Sequence, residues 1–382
     1  MARFDAVRAT LDERGAAALA VVGDRSDPDL RYLAGFDGPD REYAVVVTRD
    51  AAVCCAPRLF ERDARDAFPG RVATDEQGDP AGRRAAAALD DLGADGTVLT
   101  PRAIPHDAAL YLEGAGHDVA STDAVAAARA IKTESEIERV RTVAAAAEAG
   151  IRRAAAVLGA ATADGDRLRF EGAPLTTERL RRAVDAEMAG CGVDPAHNTV
   201  VGAGPSCADL HYRGDDPLRP GETILLDVSP RGPEGYHADC TRTFVVGGGG
   251  GWPRRAHVAA EMGMDAALAV LSAGAGEAAS KVHTEAAAEI RAYGFPVDDG
   301  EVGFTHSIGH GVGLALHERP STQGDAELTA GTVLTVEPGV YDPEEGGVRI
   351  EDLVVVRAEG YENLIDLPRS LDPAAYDPPD EG

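Results

Sequence analysis

The stretch that most constrains this chain is Leu225-Leu226-Asp227-Val228-Ser229-Pro230-Arg231-Gly232-Pro233-Glu234-Gly235-Tyr236-His237-Ala238-Asp239-Cys240-Thr241-Arg242-Thr243-Phe244. An apolar run ends in Asp227, Pro and Gly residues follow, and a second run rich in Thr, Phe and Val begins after Asp239, which reads as strand, loop, strand. The loop centre falls at Pro233, so a regular ladder sets Asp227 directly opposite Asp239, with Cβ atoms about 4.5–5.5 Å apart. Two buried carboxylates at that distance repel. One must take up a proton, or both must share a cation.

Three further stretches supply acids and imidazoles. His306-Ser307-Ile308-Gly309-His310-Gly311-Val312-Gly313-Leu314-Ala315-Leu316-His317-Glu318 places three of the ten His within twelve residues, among Gly that let backbone or ligand approach closely. His317-Glu318 does not open an HExxH helix, because Arg319-Pro320-Ser321 follows. Leu334-Thr335-Val336-Glu337-Pro338-Gly339 ends an apolar strand in a carboxylate. In Gly347-Val348-Arg349-Ile350-Glu351-Asp352-Leu353, period-2 alternation puts Arg349, Glu351 and Leu353 on one face. A Glu in so apolar a strand is rarely buried unpaired, and an ion pair with Arg349 is the plain structural explanation. Two Asp, two Glu and one His suit a hard divalent cation such as Mn²⁺ or Co²⁺ better than a thiolate zinc site. Four carboxylates call for two ions, which in hydrolytic sites stand about 3.5–4 Å apart.

The rest of the chain frames this site. Its 382 residues, 44% of them apolar, suffice for two or three domains with substantial cores. Before residue 126 the pattern alternates helix (5–14 and from Gly82) with strand (17–22, 43–47, 52–56, 97–100), an α/β domain. Thr133-Glu134-Ser135-Glu136 then opens a long Ala-rich helix with a capping box. A boundary near 126–132 divides the chain into 1–126, 127–368 and an acidic, Pro-rich tail, 369–382, expected to be extended and exposed. Further helices are expected at 177–189, 254–271 and 276–293. The Gly247–Gly251 run reads as a flexible loop leaving the hairpin.

Sixty-five acidic residues against 37 basic give a formal charge of −28, and only Lys132 and Lys281 are lysine. Such a field excludes nucleic acid and anionic membranes as partners. It suits a surface kept soluble at high salt, where the Debye length is short. Five Cys without CxxC spacing argue against a disulfide framework. The N-terminus Met1-Ala2-Arg3-Phe4-Asp5 lacks signal-peptide regions, so a reducing cytoplasm is expected.

With these residues in place the sequence resembles the pita-bread metallopeptidases, the group of Xaa-Pro aminopeptidases, Xaa-Pro dipeptidases (prolidases) and methionine aminopeptidases. Asp227, Asp239, His310, Glu337 and Glu351 match its ligand positions in order. Tyr32-Leu33-Ala34-Gly35-Phe36 and Arg129-Ala130-Ile131-Lys132 are similar to the creatinase/prolidase branch, and the acidic composition resembles that of halophilic archaeal proteins. The resemblance implies an α+β protein: a C-terminal curved antiparallel sheet covered by helices, preceded by a smaller α/β domain. It implies that Asp227 binds one divalent ion, that His310 and Glu337 bind the other, and that Asp239 and Glu351 bridge them; Zn²⁺ and Fe²⁺ are alternatives to Mn²⁺ and Co²⁺. It further implies substrate-facing His211 and His317, a further active-site His306, and a homodimer. Hydrolysis of the bond before a penultimate proline follows, with Glu337 accepting a proton and Arg349 orienting carboxylates. The competing readings are another hydrolase on this fold, such as a creatinase-like amidinohydrolase, or a binding module; both would lose ligands. One departure is the Asp227 to Asp239 spacing, a residue longer than usual for the family, which a bulge or longer turn would absorb.

Overall fold

The computed structural model describes residues 2–75, 78–248, 250–297 and 300–376. The chain forms two compact units, the first ending at Arg129 and the second starting at Ala130.

In the first unit, strands β1 (Ala18–Gly23), β2 (Tyr43–Thr48), β3 (Ala52–Pro57), β4 (Arg71–Asp75), β5 (Thr97–Pro101) and β6 (Asp118–Thr122) form one sheet ordered β4-β3-β2-β1-β5-β6. Helices cover both faces, which is why β1 reads as an unbroken apolar run. Leu19 and Val21 pack with Phe4, Val7 and Leu11 of the helix Ala2–Arg14. Ala18, Ala20 and Val22 face the other way, onto Ala81, Ala85 and Leu89 of the helix Ala81–Asp91. Cys54 and Cys55 are buried in β3, and burial pushes both thiols up, so they are core residues.

The second unit opens with the helix Glu134–Gly159, and its capping box is formed: Thr133 Oγ1 accepts from Glu136 N–H, while Thr133 N–H donates to the Glu136 carboxylate. A small meander follows, of β7 (Thr162–Asp164), β8 (Arg167–Phe170) and β9 (Ala173–Pro174), then the helix Thr177–Gly190. Strands β10 (Val200–Ala203), β11 (Thr223–Val228) and β12 (Cys240–Val245) make an antiparallel sheet. β13 (His310–Gly311), β14 (Glu318–Ser321), β15 (Val333–Val336), β18 (Asp352–Val356) and β19 (Tyr361–Asn363) make another, ordered β14-β13-β15-β18-β19, while β16 (Gly339–Asp342) pairs with β17 (Gly346–Arg349). Helices Gly251–Leu271 and Ala279–Ala292 cover this half through Met264, Leu268, Val282 and Ile290, packed on Leu334, Val336, Val348 and Val354.

Four expectations are corrected. The hairpin is not in the symmetric register: Asp227 pairs with Thr241 and Val228 with Cys240, so Asp239 lies two residues beyond the partner of Asp227. The ladder closes around Glu234 rather than Pro233. Residues 346–356 are not one alternating strand; β17 ends at Arg349, β18 starts at Asp352 in another sheet, and both faces are buried. The helix placed at 254–271 begins at Gly251, where Pro253 suits a first turn; Gly249, within the expected Gly loop, lies outside the described residues. Finally, residues 369–376 are not an exposed tail: Val245 N–H donates to Leu371 O, and the buried Tyr376 ring meets Phe244 edge-on at 5.0 Å. Residues 377–382 of that expected tail lie outside the described residues.

Candidate metal centre

Asp227 is the penultimate residue of β11, and Asp239 immediately precedes β12. Because Asp239 and Thr241 are two residues apart they share a strand face, so the shifted register makes Asp239 a diagonal neighbour of Asp227 rather than a direct one. Glu351 occupies the break between β17 and β18. Carboxylate oxygens of Asp227, Asp239 and Glu351 lie within 4.8 Å of one another.

β13 and β15 bring the other two residues. His310 Nε2 lies 3.7 Å from Asp239 Oδ2 and 3.6 Å from Glu337 Oε1. Its Nδ1 is 3.1 Å from Gly311 O. A carbonyl only accepts, so Nδ1 carries the hydrogen and the bare Nε2 faces the acids. Burial holds the imidazole neutral, its pKa pushed down to about 4. An imidazole locked in this tautomer is the form that ligates a cation.

Two threonines, absent from the sequence reading, orient the acids. Thr241 Oγ1 donates to Glu351 Oε2 at 2.6 Å and accepts from Arg349 Nε at 3.1 Å. Thr335 Oγ1 donates to Glu337 Oε1 at 3.3 Å and accepts from the His310 backbone N–H at 3.0 Å. Their signal was the strand period: Thr241 stands two residues from Asp239, and Thr335 two from Glu337.

Arg349 does not pair with Glu351. Its Nη2 donates to Asp227 Oδ2 at 2.7 Å and its Nη1 to the Tyr341 hydroxyl at 3.0 Å. The Tyr341 hydroxyl, so engaged, donates to His306 Nε2 at 2.9 Å, because His306 Nδ1 must donate to Ser307 O at 2.7 Å. His306 is thus neutral, its pKa pushed by burial down to about 3, and both its ring nitrogens are occupied by protein. It ends a chain running from His306 through Tyr341 and Arg349 to Asp227. His317 is exposed, with its ring centroid 4.2 Å from that of His310. His211 is exposed, and its backbone N–H donates to Asp209; it stands near enough to His317 to help depress that imidazole's pKa, after burial.

The electrostatics call for cations. Burial and mutual repulsion raise Asp239 and Glu351 well above the usual carboxylate range, and burial lifts Glu337 to about 7 despite the attraction of Arg349. The buried Asp227 Oδ1 has no hydrogen-bond partner. Unsatisfied carboxylate oxygens beside a bare imidazole nitrogen fit divalent cations.

This donor set on antiparallel strands defines the second unit as a divalent-metal domain. The chain belongs to metallopeptidase family M24, whose match covers residues 138–358, and residues 3–143 match the Creatinase/Prolidase N-terminal domain. It is similar to a probable dipeptidase PepE of Mycobacterium tuberculosis, 29% identical over 256 residues, which are 66% of this chain and 63% of that protein. The Xaa-Pro dipeptidase of Pyrococcus furiosus is 32% identical over 253 residues, 65% of this chain and 67% of the other. The chain thus spans about 63–67% of the length of these relatives. The prolidase structure from Pyrococcus horikoshii superposes with a TM-score of 0.82 at 24% identity, covering 97% of this chain and 99% of that one, a likeness of fold. The α+β, pita-bread architecture expected from the sequence is therefore present.

Proposed function

We propose that this protein hydrolyses the peptide bond between an N-terminal residue and a following proline. The observation that carries the reading is the convergence of Asp227, Asp239, His310, Glu337 and Glu351, with Asp227 Oδ1 buried and unpartnered, in a member of family M24. Asp227, Asp239 and Glu351 would hold one cation, and His310 and Glu337, with Asp239 and Glu351 shared, the second. When bound, such a pair acidifies water and polarises the scissile carbonyl. Mn²⁺ or Co²⁺ is the proposed metal, with Zn²⁺ or Fe²⁺ the alternatives.

Around this centre the protein groups divide the work. Glu337 takes the proton of the attacking water and returns it to the proline nitrogen as the C–N bond breaks. His317, and His211 beyond it, hydrogen-bond the oxyanion or the proline carboxylate. Arg349, held by Tyr341 and His306, keeps Asp227 in place. A proline-directed site needs no acceptor for an amide N–H, since that tertiary amide has none.

The creatinase-type amidinohydrolase reading is less well supported, because all five ligand types are retained. The test is metal-dependent release of proline from an Xaa-Pro dipeptide and cleavage of a longer Xaa-Pro peptide. No activity on either with Mn²⁺ or Co²⁺ refutes the proposal, and activity on one alone separates dipeptidase from aminopeptidase.

The same proposal takes in a homodimer, a cytoplasmic setting, and domains at 1–126 and 127–368. No helix among the described residues is long and apolar enough to cross a membrane. The −28 charge supports a halophilic origin, for which stability should rise into molar KCl as the Debye length shrinks to about 3 Å; a flat or falling salt profile would count against it.

A further inference from the structure

Lys132 and Glu318, 186 residues apart, form the most enclosed lysine–carboxylate pair among the described residues, with Nζ 2.6 Å from Oε1 and side chains 1% and 5% exposed. Taking two charges out of water is costly, and a well-packed apolar pair is often as stable, so a buried pair is weak evidence for stability alone. Its place in the fold says more. Glu318 starts β14 and directly follows His317. Its carboxylate folds back over the turn that carries His317: Oε2 lies 3.5 Å from the Ala315 backbone N, while Oε1 lies so close to Gly313 that a Cβ there would stand 2.1 Å from it.

Gly313 is itself tied at both edges. Its N–H donates to Ala315 O, and its carbonyl accepts from His237 N–H, in the loop between Asp227 and Asp239. Lys132 is equally anchored, its backbone N–H donating to Gly331 O just before β15 and its Nζ reaching Ala130 O as well as Glu318. The ammonium therefore stands on a fixed post and clamps the acid that shapes the turn 313–317. On that turn the His317 ring packs against His310 at 4.2 Å.

We infer that the Lys132–Glu318 pair is the positioning device for His317, setting its ring against His310 and toward the reacting groups. The inference rests on the Xaa-Pro reading for its effect on turnover, but its geometric content does not. Neither Lys132 nor Glu318 is assigned contact with substrate.

The test combines Glu318→Gln, which keeps the shape and an acceptor while removing the charge, with Lys132→Met and a cycle against His317→Ala. Side-chain NMR of the histidines in metal-free protein reads His317 without reference to activity. The expected result is a shift of the His317 ring signals in Glu318→Gln, with those of His117 and His257 unmoved. In Mn²⁺-loaded enzyme, each single variant should lower kcat by about 10-fold with little change in KM, and add less than about 2-fold to the loss in a His317→Ala background, since residues acting as one unit are non-additive. Unmoved His317 signals, or losses that multiply in the His317→Ala background, overturn the inference. Should Lys132→Met fail to fold, Glu318→Gln decides it alone. A wild-type enzyme inactive on Xaa-Pro substrates would refute the proposed activity, and the positioning role would then stand or fall on the His317 signals.

Discussion

Asp239→Asn should have opposite effects with and without metal. In metal-free protein at pH 8, the Asp239 carboxylate lies within 4.8 Å of oxygens of Asp227 and Glu351, and burial and these like charges hold its pKa well above normal. At an effective dielectric constant near 20, each fully charged neighbour at that separation costs about 3.5 kcal/mol. Arg349 offsets the Asp227 contribution. That leaves the repulsion from Glu351, to which Glu337 adds, reduced by whatever proton the cluster takes up, so Asn should stabilise the metal-free protein by about 2–3 kcal/mol. With Mn²⁺ at a hundredfold excess over Kd, wild type gains about 2.7 kcal/mol by mass action, and the variant should lose most of this along with turnover. Urea denaturation in EDTA and in Mn²⁺, beside metal content per chain, measures both. A variant no more stable than wild type in EDTA, or one stabilised equally by Mn²⁺, would refute the claim that repulsion at this cluster is relieved by cations.

Three further outcomes follow from particular contacts. Arg349→Met leaves the partly buried Asp227 without its cation and should cost about 2–4 kcal/mol in denaturation of the metal-free protein; a loss below about 1 kcal/mol would show that the guanidinium is dispensable. His257 is buried neutral, its pKa pushed by burial from 6.5 to about 4, so the unfolded chain takes up its proton first. Its stabilising contribution is complete above pH 6.5 and declines as pH falls toward 4. Wild type should therefore lose about 3 kcal/mol more than His257→Leu between pH 7 and 4, whereas parallel curves would contradict this. Thr133→Ala removes a helix cap and should lower stability by about 1 kcal/mol, read by the midpoint of chemical denaturation.

Several elements were legible because their causes are local. The capping box at Thr133 depends on residues three apart, and the buried strands of the first unit on short apolar runs. The acids were legible for a related reason, since ionisable groups in apolar strands have few uses, and ordered resemblance to a family attached roles to them. Several of the misread features concern pairing. The register of Asp227 against Asp239 depends on how the turn closes, which Pro and Gly content does not specify, so only the ladder shows the two-residue offset.

The partners of Arg349 were hidden in the same way: sequence neighbourhood suggested Glu351, but the break in the strand between β17 and β18 turns the guanidinium to Asp227, Tyr341 and Thr241. The chain by itself determined two α/β-rich domains, an acidic surface and a set of acids and histidines too costly to bury without cations. Tertiary structure alone decided which oxygen meets which partner, that His306 serves Tyr341, and that Lys132 reaches Glu318 across 186 residues. Hydrogen bonds and ion pairs are made over a few ångströms in space, whereas the sequence specifies positions along the chain.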